Sequence, residues 1–156
     1  MKNIIILILL LSSSIFSKEL IVKANSFKAD EKAGISIFKG NVHIVKESDE
    51  LNASKLTIFT NEEHQPTKYI AKGDVSFTIV TKNGAIYKGV AQKVIYQPEK
   101  KEYYFYKDVY LRQVNEKKEI IGNEVVLNTI DGKAYAKGQQ SGPVIMIFNI
   151  PEKEEK

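Results

Sequence analysis

The stretch Phe38-Lys39-Gly40-Asn41-Val42-His43-Ile44 recurs along the chain and decides its fold. A second copy occupies residues 71–77 (AKGDVSF), a third occupies residues 106–111 (YKDVYL), and a degenerate fourth occupies residues 136–138 (AKG). Lys107 stands in the third copy where the others have glycine. In each full copy the apolar residues fall mostly at even offsets from the glycine position. This is the period-two pattern of a β-strand with one face in a core.

A second motif, a small residue followed three positions later by an apolar one, precedes each of these copies. It occurs at residues 24–27, 53–56, 91–94 and 122–125. The step of three interrupts the period-two alternation once per copy, as a β-bulge or corner does where a strand passes from one sheet to the next. The two motifs predict an all-β chain of about four hairpin repeats, and no stretch shows convincing helical periodicity.

The shared phase of the repeats predicts one continuous apolar interior. Odd-phase neighbours such as Lys39, Asp74 and Asp108 are expected to face water. Small residues such as Gly40 and Ala53 either leave room for a ligand or let backbones approach closely, and the sequence alone does not choose between these. The predicted interior residues are Phe38, Val42, Ile44, Tyr69, Val75, Phe77, Ile79, Tyr103, Phe105, Val109 and Leu111.

The chain divides into three parts. Residues 1–17 have the pattern of a secretory signal peptide: a positive charge, the apolar run 4–11, and a small, polar end. That run is too short to cross a bilayer, which takes about 20 residues. Cleavage is expected near Ser17, which leaves one domain over residues 18–150 and a charged tail over residues 151–156.

Turn signals place the strands and their connections. Pro66 is expected to close a loop, because proline cannot donate to a central ladder. Asn83-Gly84 predicts a hairpin with a type I′ turn, which needs positive φ at both central residues. The predicted strands cover residues 18–24, 35–45, 51–60, 69–81, 85–96, 102–114, 119–129, 133–137 and 144–148.

The composition argues against an enzyme active site, a metal site and a nucleic-acid-binding surface. The chain has no cysteine, which excludes a thiol nucleophile, and its two histidines, His43 and His64, have no partner at metal-ligand spacing. Adjacent Asp49 and Glu50 point to opposite faces of a strand and cannot act as a carboxylate pair. The net charge of +4 is spread along the chain, without the basic stripe of a nucleic-acid-binding protein. We therefore expect no enzyme, no metal, no cofactor and no nucleic-acid partner.

The aromatic run Tyr103-Tyr104-Phe105-Tyr106 resembles a stacking platform for bases or sugars. Neighbouring strand residues alternate faces, so at most two of these four rings share a surface. Core packing is the favoured interpretation of this run.

The repeats resemble the OstA-like (LptA) family of periplasmic lipopolysaccharide transport proteins. Residues 38–44 followed by 51–58 are similar to the first repeat of that family, and residues 109–114 with 121–125 are similar to the last. The likeness extends over nearly the whole mature chain. Departures are Lys107 and the pairs Ala24-Asn25 and Ala53-Ser54, where the family commonly has Ala-Asp.

The resemblance implies a slightly open, antiparallel β-jelly roll in the periplasm whose apolar interior takes the acyl chains of lipid A. It also implies head-to-tail stacking into a bridge between an LptC-like partner at the inner membrane and an LptD-like partner at the outer membrane. An exposed edge strand can add a neighbour's strand, so the ends of the roll are the expected joints. The predicted self-association residues are Leu20, Val22 and Phe27 in an N-terminal strand over residues 20–27, and Val144, Met146 and Phe148 in a C-terminal strand.

Three alternatives remain at this stage. An LptC-like periplasmic domain shares the fold, but it is expected to carry a spanning helix for which residues 4–11 are too short. A structural protein whose repeats only build filaments would carry no lipid. An enzyme acting on periplasmic glycan is disfavoured, because no paired carboxylates are found.

Overall fold

A computed structural model of the protein describes residues 18–154, and its regular elements there are all β-strands. The predicted signal peptide, residues 1–17, lies outside this range. Between residues 18 and 154 there is no helix that could cross a membrane. The strands are β1 (Leu20–Lys23), β2 (Ser26–Asp30), β3 (Ile35–Lys46), β4 (Asp49–Thr60), β5 (Pro66–Val80), β6 (Ile86–Gln97), β7 (Glu102–Gln113), β8 (Lys118–Asn128), β9 (Ala134–Lys137) and β10 (Ile145–Ile147).

All ten strands belong to one antiparallel sheet. The long strands β3 to β8 pair in sequence order, so each is joined to the next by a hairpin. The short strands cover the two edges: β1 and β2 both pair with β3, and β9 and β10 both pair with β8. The predicted all-β roll of hairpin repeats is confirmed.

A line of register shifts crosses the long strands near their middles, and we call it the corner line. The shifts lie between Lys39 and Val42 in β3, Asn52 and Lys55 in β4, Lys72 and Val75 in β5, Val90 and Lys93 in β6, and Tyr106 and Val109 in β7. Gly40, Gly73 and Lys107 sit on this line with φ of 80°, 86° and 65°. The small-then-apolar motif marks corners in β4 and β6, as predicted, and the glycine positions of the first motif lie on the same line.

The corner line divides the sheet into two layers. Layer A comprises residues 42–53, 75–91 and 109–122, and layer B comprises residues 35–39, 55–72, 93–106 and 124–128. Phe77 of layer A and Phe105 of layer B have ring centroids 4.5 Å apart. In a flat sheet, two strand spacings and five residues would separate them by roughly 19 Å. The sheet is thus folded over along the corner line, with the core between its layers.

Each edge of the roll is split at the same corner. β1 and β10 extend layer A, whereas β2 and β9 extend layer B. The predicted single N-terminal strand over residues 20–27 is therefore wrong: it is two strands. The break falls at Asn25, whose backbone N–H donates to the Gly40 carbonyl at 2.9 Å. Within the described residues the two edges do not pair with each other, so the roll stays open.

Two turn predictions also need correction. Pro66 opens β5 and pairs with Thr60, which is possible because the first residue of a strand need not donate to the ladder. The hairpin at Asn83-Gly84 exists, but positive φ occurs only at Gly84, so the turn is not type I′. The buried Thr81 causes the difference, because its hydroxyl accepts the Ala85 N–H at 3.1 Å and stabilises a wider connection.

Candidate functional site

The interior between the layers holds all eleven predicted interior residues. Phe38 and Tyr69 are half-buried and pack against the core cluster. The outward-facing Lys39, Asp74 and Asp108 are exposed. The other nine interior residues are buried, namely Val42, Ile44, Val75, Phe77, Ile79, Tyr103, Phe105, Val109 and Leu111. Along these strands, residues of the even phase therefore lie on the inner face, and the odd-phase residues Lys39, Asp74 and Asp108 lie on the outer face.

A row of aromatic rings runs through the interior from its middle towards the N-terminal edge. Successive centroids lie 4.5 Å apart for Phe77 and Phe105, 6.0 Å for Phe105 and Tyr103, 4.4 Å for Tyr103 and Tyr96, and 5.9 Å for Tyr96 and Tyr69. Burial raises the pKa of Tyr96 to about 12 and holds the pKa of Tyr103 well above its usual range. The phenols are neutral, so the row offers apolar faces to a neighbour.

The interior is closely packed. An apolar cavity next to Leu20, Leu56 and Tyr103 has a volume of about 30 Å³, about the share of one water molecule in the liquid. The motif glycines permit close approach: a Cβ added at Gly40 would lie 2.7 Å from Asn25 Nδ2, and one at Gly73 would lie 2.6 Å from Ser54 Oγ. A chain of methylene groups would enter this cavity only if the layers moved apart.

A wider cavity of about 190 Å³ lies towards the C-terminal edge. Its walls come from both layers and from β10, and include Leu111, Ile120, Ala134 and Met146. The interior thus opens towards β10, while Leu20 lines its small cavity at the opposite edge.

Asp49 ties the two layers together at the boundary of the core. Its Oδ1 accepts the Val80 N–H at 2.9 Å, and its Oδ2 accepts the Tyr103 hydroxyl at 2.7 Å. Desolvation raises the pKa of Asp49, although both hydrogen bonds oppose the shift. Glu50 points the other way, towards His43, which agrees with the expected opposite faces. From the sequence, Asp49 is considered only as a possible carboxylate partner of Glu50, and its role between the layers is missed.

The six predicted self-association residues fall at the two edges. Leu20 and Val22 turn inward and pack against the core, as does Val144 at the other end. The other three are exposed: Phe27 by 61%, Met146 by 54% and Phe148 by 54%. Phe27 also packs against Phe38, with centroids 4.9 Å apart.

Twelve further residues belong to the buried interior and are missing from the predicted set. Most follow the small-then-apolar motif or continue its period-two phase, so that motif could have found them. They are Leu51, Ala53, Leu56, Ile58, Ala71, Tyr87, Ala91, Val94, Tyr96, Ile120, Val125 and Leu127.

The described residues offer no constellation that binds a metal. Between residues 18 and 154, no three His, Asp or Glu side chains come close enough together to hold a metal ion. His43 is engaged with Asn52, at 2.7 Å between Nδ1 and Oδ1. His64 lies in the connection between β4 and β5.

Comparison with known proteins assigns the chain to a family. The sequence profile described as LptA/(LptD N-terminal domain) LPS transport protein matches residues 21–133. The chain belongs to this family. The LptA family is one of transport proteins and not of enzymes.

The fold agrees with that assignment. The crystal structure of LptH, the LptA homologous periplasmic component of the lipopolysaccharide transport device from Pseudomonas aeruginosa, matches with a TM-score of 0.74. The match covers 85% of this chain and 96% of LptH at 15% sequence identity. The likeness is therefore one of fold. No curated protein sequence matches the chain.

Proposed function

We propose that the protein carries lipopolysaccharide through the periplasm and covers the acyl chains of lipid A between its two layers. The observation that carries this proposal is the apolar interior, which reaches both edges of the open roll. It continues to Leu20 and Val22 at one edge and to Ala136 and Val144 at the other. Acyl chains need such a cover, since exposed apolar surface costs roughly 25 cal/mol per Å² in water.

Loading requires the layers to separate, because the cavity beside Leu20 holds about 30 Å³. The hinge of this motion is the corner line, where bulges already bend every central strand. The Asp49–Tyr103 hydrogen bond connects the layers and breaks when they part. An acyl chain replaces the contacts between Phe77 and Phe105 with contacts of its own.

A photo-crosslinking residue tests whether lipid lies between the two layers. At Phe77 or Phe105, both buried, we expect capture of lipopolysaccharide in living cells. At Lys39 or Asp74, both exposed, we expect none. Asp74 is the matched control for Phe77, because both lie on β5, and Lys39 is a second outer position, on β3. Equal capture from both faces would mean that lipid lies on the surface and that the interior is only a core.

We also propose that copies stack head to tail. β10 lies at the edge with Ile145, Met146 and Ile147 all exposed, by 47%, 54% and 48%. It pairs with β8 through only three residues, and within residues 18–154 no strand pairs with its outer side, which leaves that side for a neighbour's strand. A heterologous contact of this kind does not have to close into a ring.

Truncation tests the stacking. Deletion of residues 144–156 removes β10 and is expected to leave a folded monomer that no longer self-associates in light scattering. Deletion of residues 149–156 keeps β10 and is the control, which we expect to associate like the full chain. If the longer deletion leaves the oligomers unchanged, the joint lies elsewhere on the molecule.

The cellular setting of this proposal is the periplasm, with cleavage near Ser17 and LptC-like and LptD-like partners at the two membranes. Mass analysis of the mature N-terminus tests the first part. An intact N-terminus in the membrane fraction would favour an LptC-like protein. A filament-forming structural protein would copurify without lipid, so mass spectrometry of the purified monomer separates it from a carrier.

A further inference from the structure

A polar cavity of about 400 Å³ opens where the connections of both layers meet, and we call it the basic cavity. It collects residues from five separate parts of the chain, from the start of the described residues to the β8–β9 connection. Its lining consists of Lys18, Lys46, Glu47, Ser48, Asp49, Val80, Thr81, Lys82, Tyr96, Lys101, Thr129 and Ile130.

The charges of the basic cavity are unequal. Four lysines and two carboxylates line it, a difference of two positive charges. Glu47 is occupied by Lys18, with 2.9 Å between Oε1 and Nζ, and this contact lowers the pKa of Glu47. Both oxygens of Asp49 are engaged by Val80 and Tyr103. The donors to Asp49 are uncharged and Glu47 pairs with Lys18, so three lysines and the Asp49 carboxylate remain, with a surplus of positive charge.

Two of those lysines are held close together by the backbone. The Lys82 N–H donates to the Thr129 carbonyl at 2.8 Å, and the Thr129 N–H donates to the Lys101 carbonyl at 2.9 Å. The Thr129 hydroxyl donates to the same carbonyl at 3.0 Å. Within residues 18–154 neither Lys82 nor Lys101 forms an ion pair. Two lysines without an ion-pair partner in this part of the chain, on adjacent backbone segments, are suited to a dianion.

The basic cavity adjoins the apolar interior. Lys46 and Tyr96 line both the basic cavity and the small apolar cavity beside Leu20. The Lys46 ammonium lies 5.0 Å from the Tyr96 ring centroid, at the boundary between them. A ligand that fits this boundary has an anionic head and an apolar tail.

We propose that the basic cavity binds a phosphate monoester, with Lys82 and Lys101 as its charge partners and Lys46 at the start of the apolar tail. This inference rests on the proposed function, because the sugar head of lipid A carries such phosphates beside its acyl chains. Lysine ammonium groups bind phosphate as point charges, and charge-assisted hydrogen bonds are stronger than neutral ones. Free inorganic phosphate has the same chemistry and is the competing source.

The test compares three ligands on the full mature chain: bis-phosphorylated lipid A in detergent micelles, the same lipid A with its phosphates removed, and sodium phosphate. The variant is Lys82→Gln with Lys101→Gln, which keeps the backbone bonds and removes two charges. The matched control is Lys72→Gln with Lys88→Gln, two exposed lysines that do not line the basic cavity. Circular dichroism verifies that both are folded.

We expect wild type and control to bind phosphorylated lipid A about tenfold more tightly than the dephosphorylated form. The Lys82/Lys101 variant is expected to lose this preference and to bind both lipids alike. Equal binding of the two lipids by wild type would overturn the phosphate site but leave lipid transport standing. Failure of wild type to bind either lipid would reject the proposed function itself. Lysine-dependent binding of sodium phosphate without any lipid preference would assign the site to a free anion and overturn the headgroup proposal.

Discussion

The middle of the roll and its two edges are built for different tasks. In the middle, Val75, Ile79, Phe105, Val125 and Leu127 have no measurable exposure. At the edges, every residue of β2 and of β10 is exposed. Stability is thus concentrated where the two layers touch, while the surfaces that are free to contact another molecule lie at the ends. A lipid that passes through such a roll must replace the contacts that hold it together.

The largest effect is expected from truncating a ring in the middle. Phe105→Ala removes a fully buried side chain that contacts Phe77 and Tyr103, and is expected to lower the free energy of unfolding by about 3–5 kcal/mol. Phe148→Ala at the exposed end is the matched control, with an expected change within about 0.5 kcal/mol. Urea denaturation measures both. Similar losses would contradict the contrast between middle and edge.

The corner line is expected to be the next most sensitive region. Gly73 and Gly84 have the same φ of 86°, so alanine is strained at both. A Cβ at Gly73 would also lie 2.7 Å from the Ser54 Cβ, whereas Gly84 has open space around it. We expect Gly84→Ala to cost about 1 kcal/mol of left-handed strain, and Gly73→Ala at least twice as much. Equal losses in thermal unfolding would show that the corner tolerates a wider bend.

Asp49, at the boundary of the core, is expected to make the stability of the roll depend on pH. Its pKa is raised in the folded protein, so its contribution to stability is present below the unfolded pKa and is lost as pH rises through the folded pKa. Asp49→Asn removes this charge, and its amide can still pair with Val80 and Tyr103. The free energy of unfolding of the variant, minus that of wild type, is therefore expected to increase from pH 3 to pH 7. Glu99→Gln, on an exposed turn, is the control variant for removal of one carboxylate.

The smallest effect is expected at Lys107, the corner residue that replaces glycine. Its φ of 65° costs a lysine roughly 1 kcal/mol of strain in the folded state. Glycine removes this strain but loses more backbone entropy on folding, so the net gain in stability is smaller. Lys107→Gly is expected to raise the melting temperature by about 1–2 °C. Lys137→Gly, in strand β9 without positive φ, is expected to lower it. A lower melting temperature for both would mean that the Lys107 side chain has a stabilising contact.

The repeats could be read from the sequence because their signals are local. A period of two, broken once per copy, is enough to predict the strands, the corner line and the inner face that includes Phe77 and Phe105. The tetrad of residues 103–106 also follows this rule, since Tyr103 and Phe105 are buried while Tyr104 and Tyr106 are half-exposed.

Other features depend on residues that are distant in sequence. The partner of Asp49 is Tyr103, 54 residues away, so no local pattern predicts that Asp49 turns inward. The turn at Asn83-Gly84 is a local exception: the Thr81 hydroxyl accepts the Ala85 N–H across it, a hydrogen bond that the Asn-Gly pair alone does not indicate. The lysines of the basic cavity lie in four separate parts of the chain, where each resembles an ordinary solvated residue.

The split edges have a consequence for which partners the roll accepts. Each edge presents two short pairing segments, of four and five residues in β1 and β2 and of four and three in β9 and β10, set at an angle by the corner line. A straight peptide strand can engage only one segment of a pair. A partner bent at the same point engages both, and the second contact forms at a high effective concentration. Under the proposed head-to-tail stacking, the edge would act as a bivalent receptor, in which two weak sites give selectivity for a partner with the same fold.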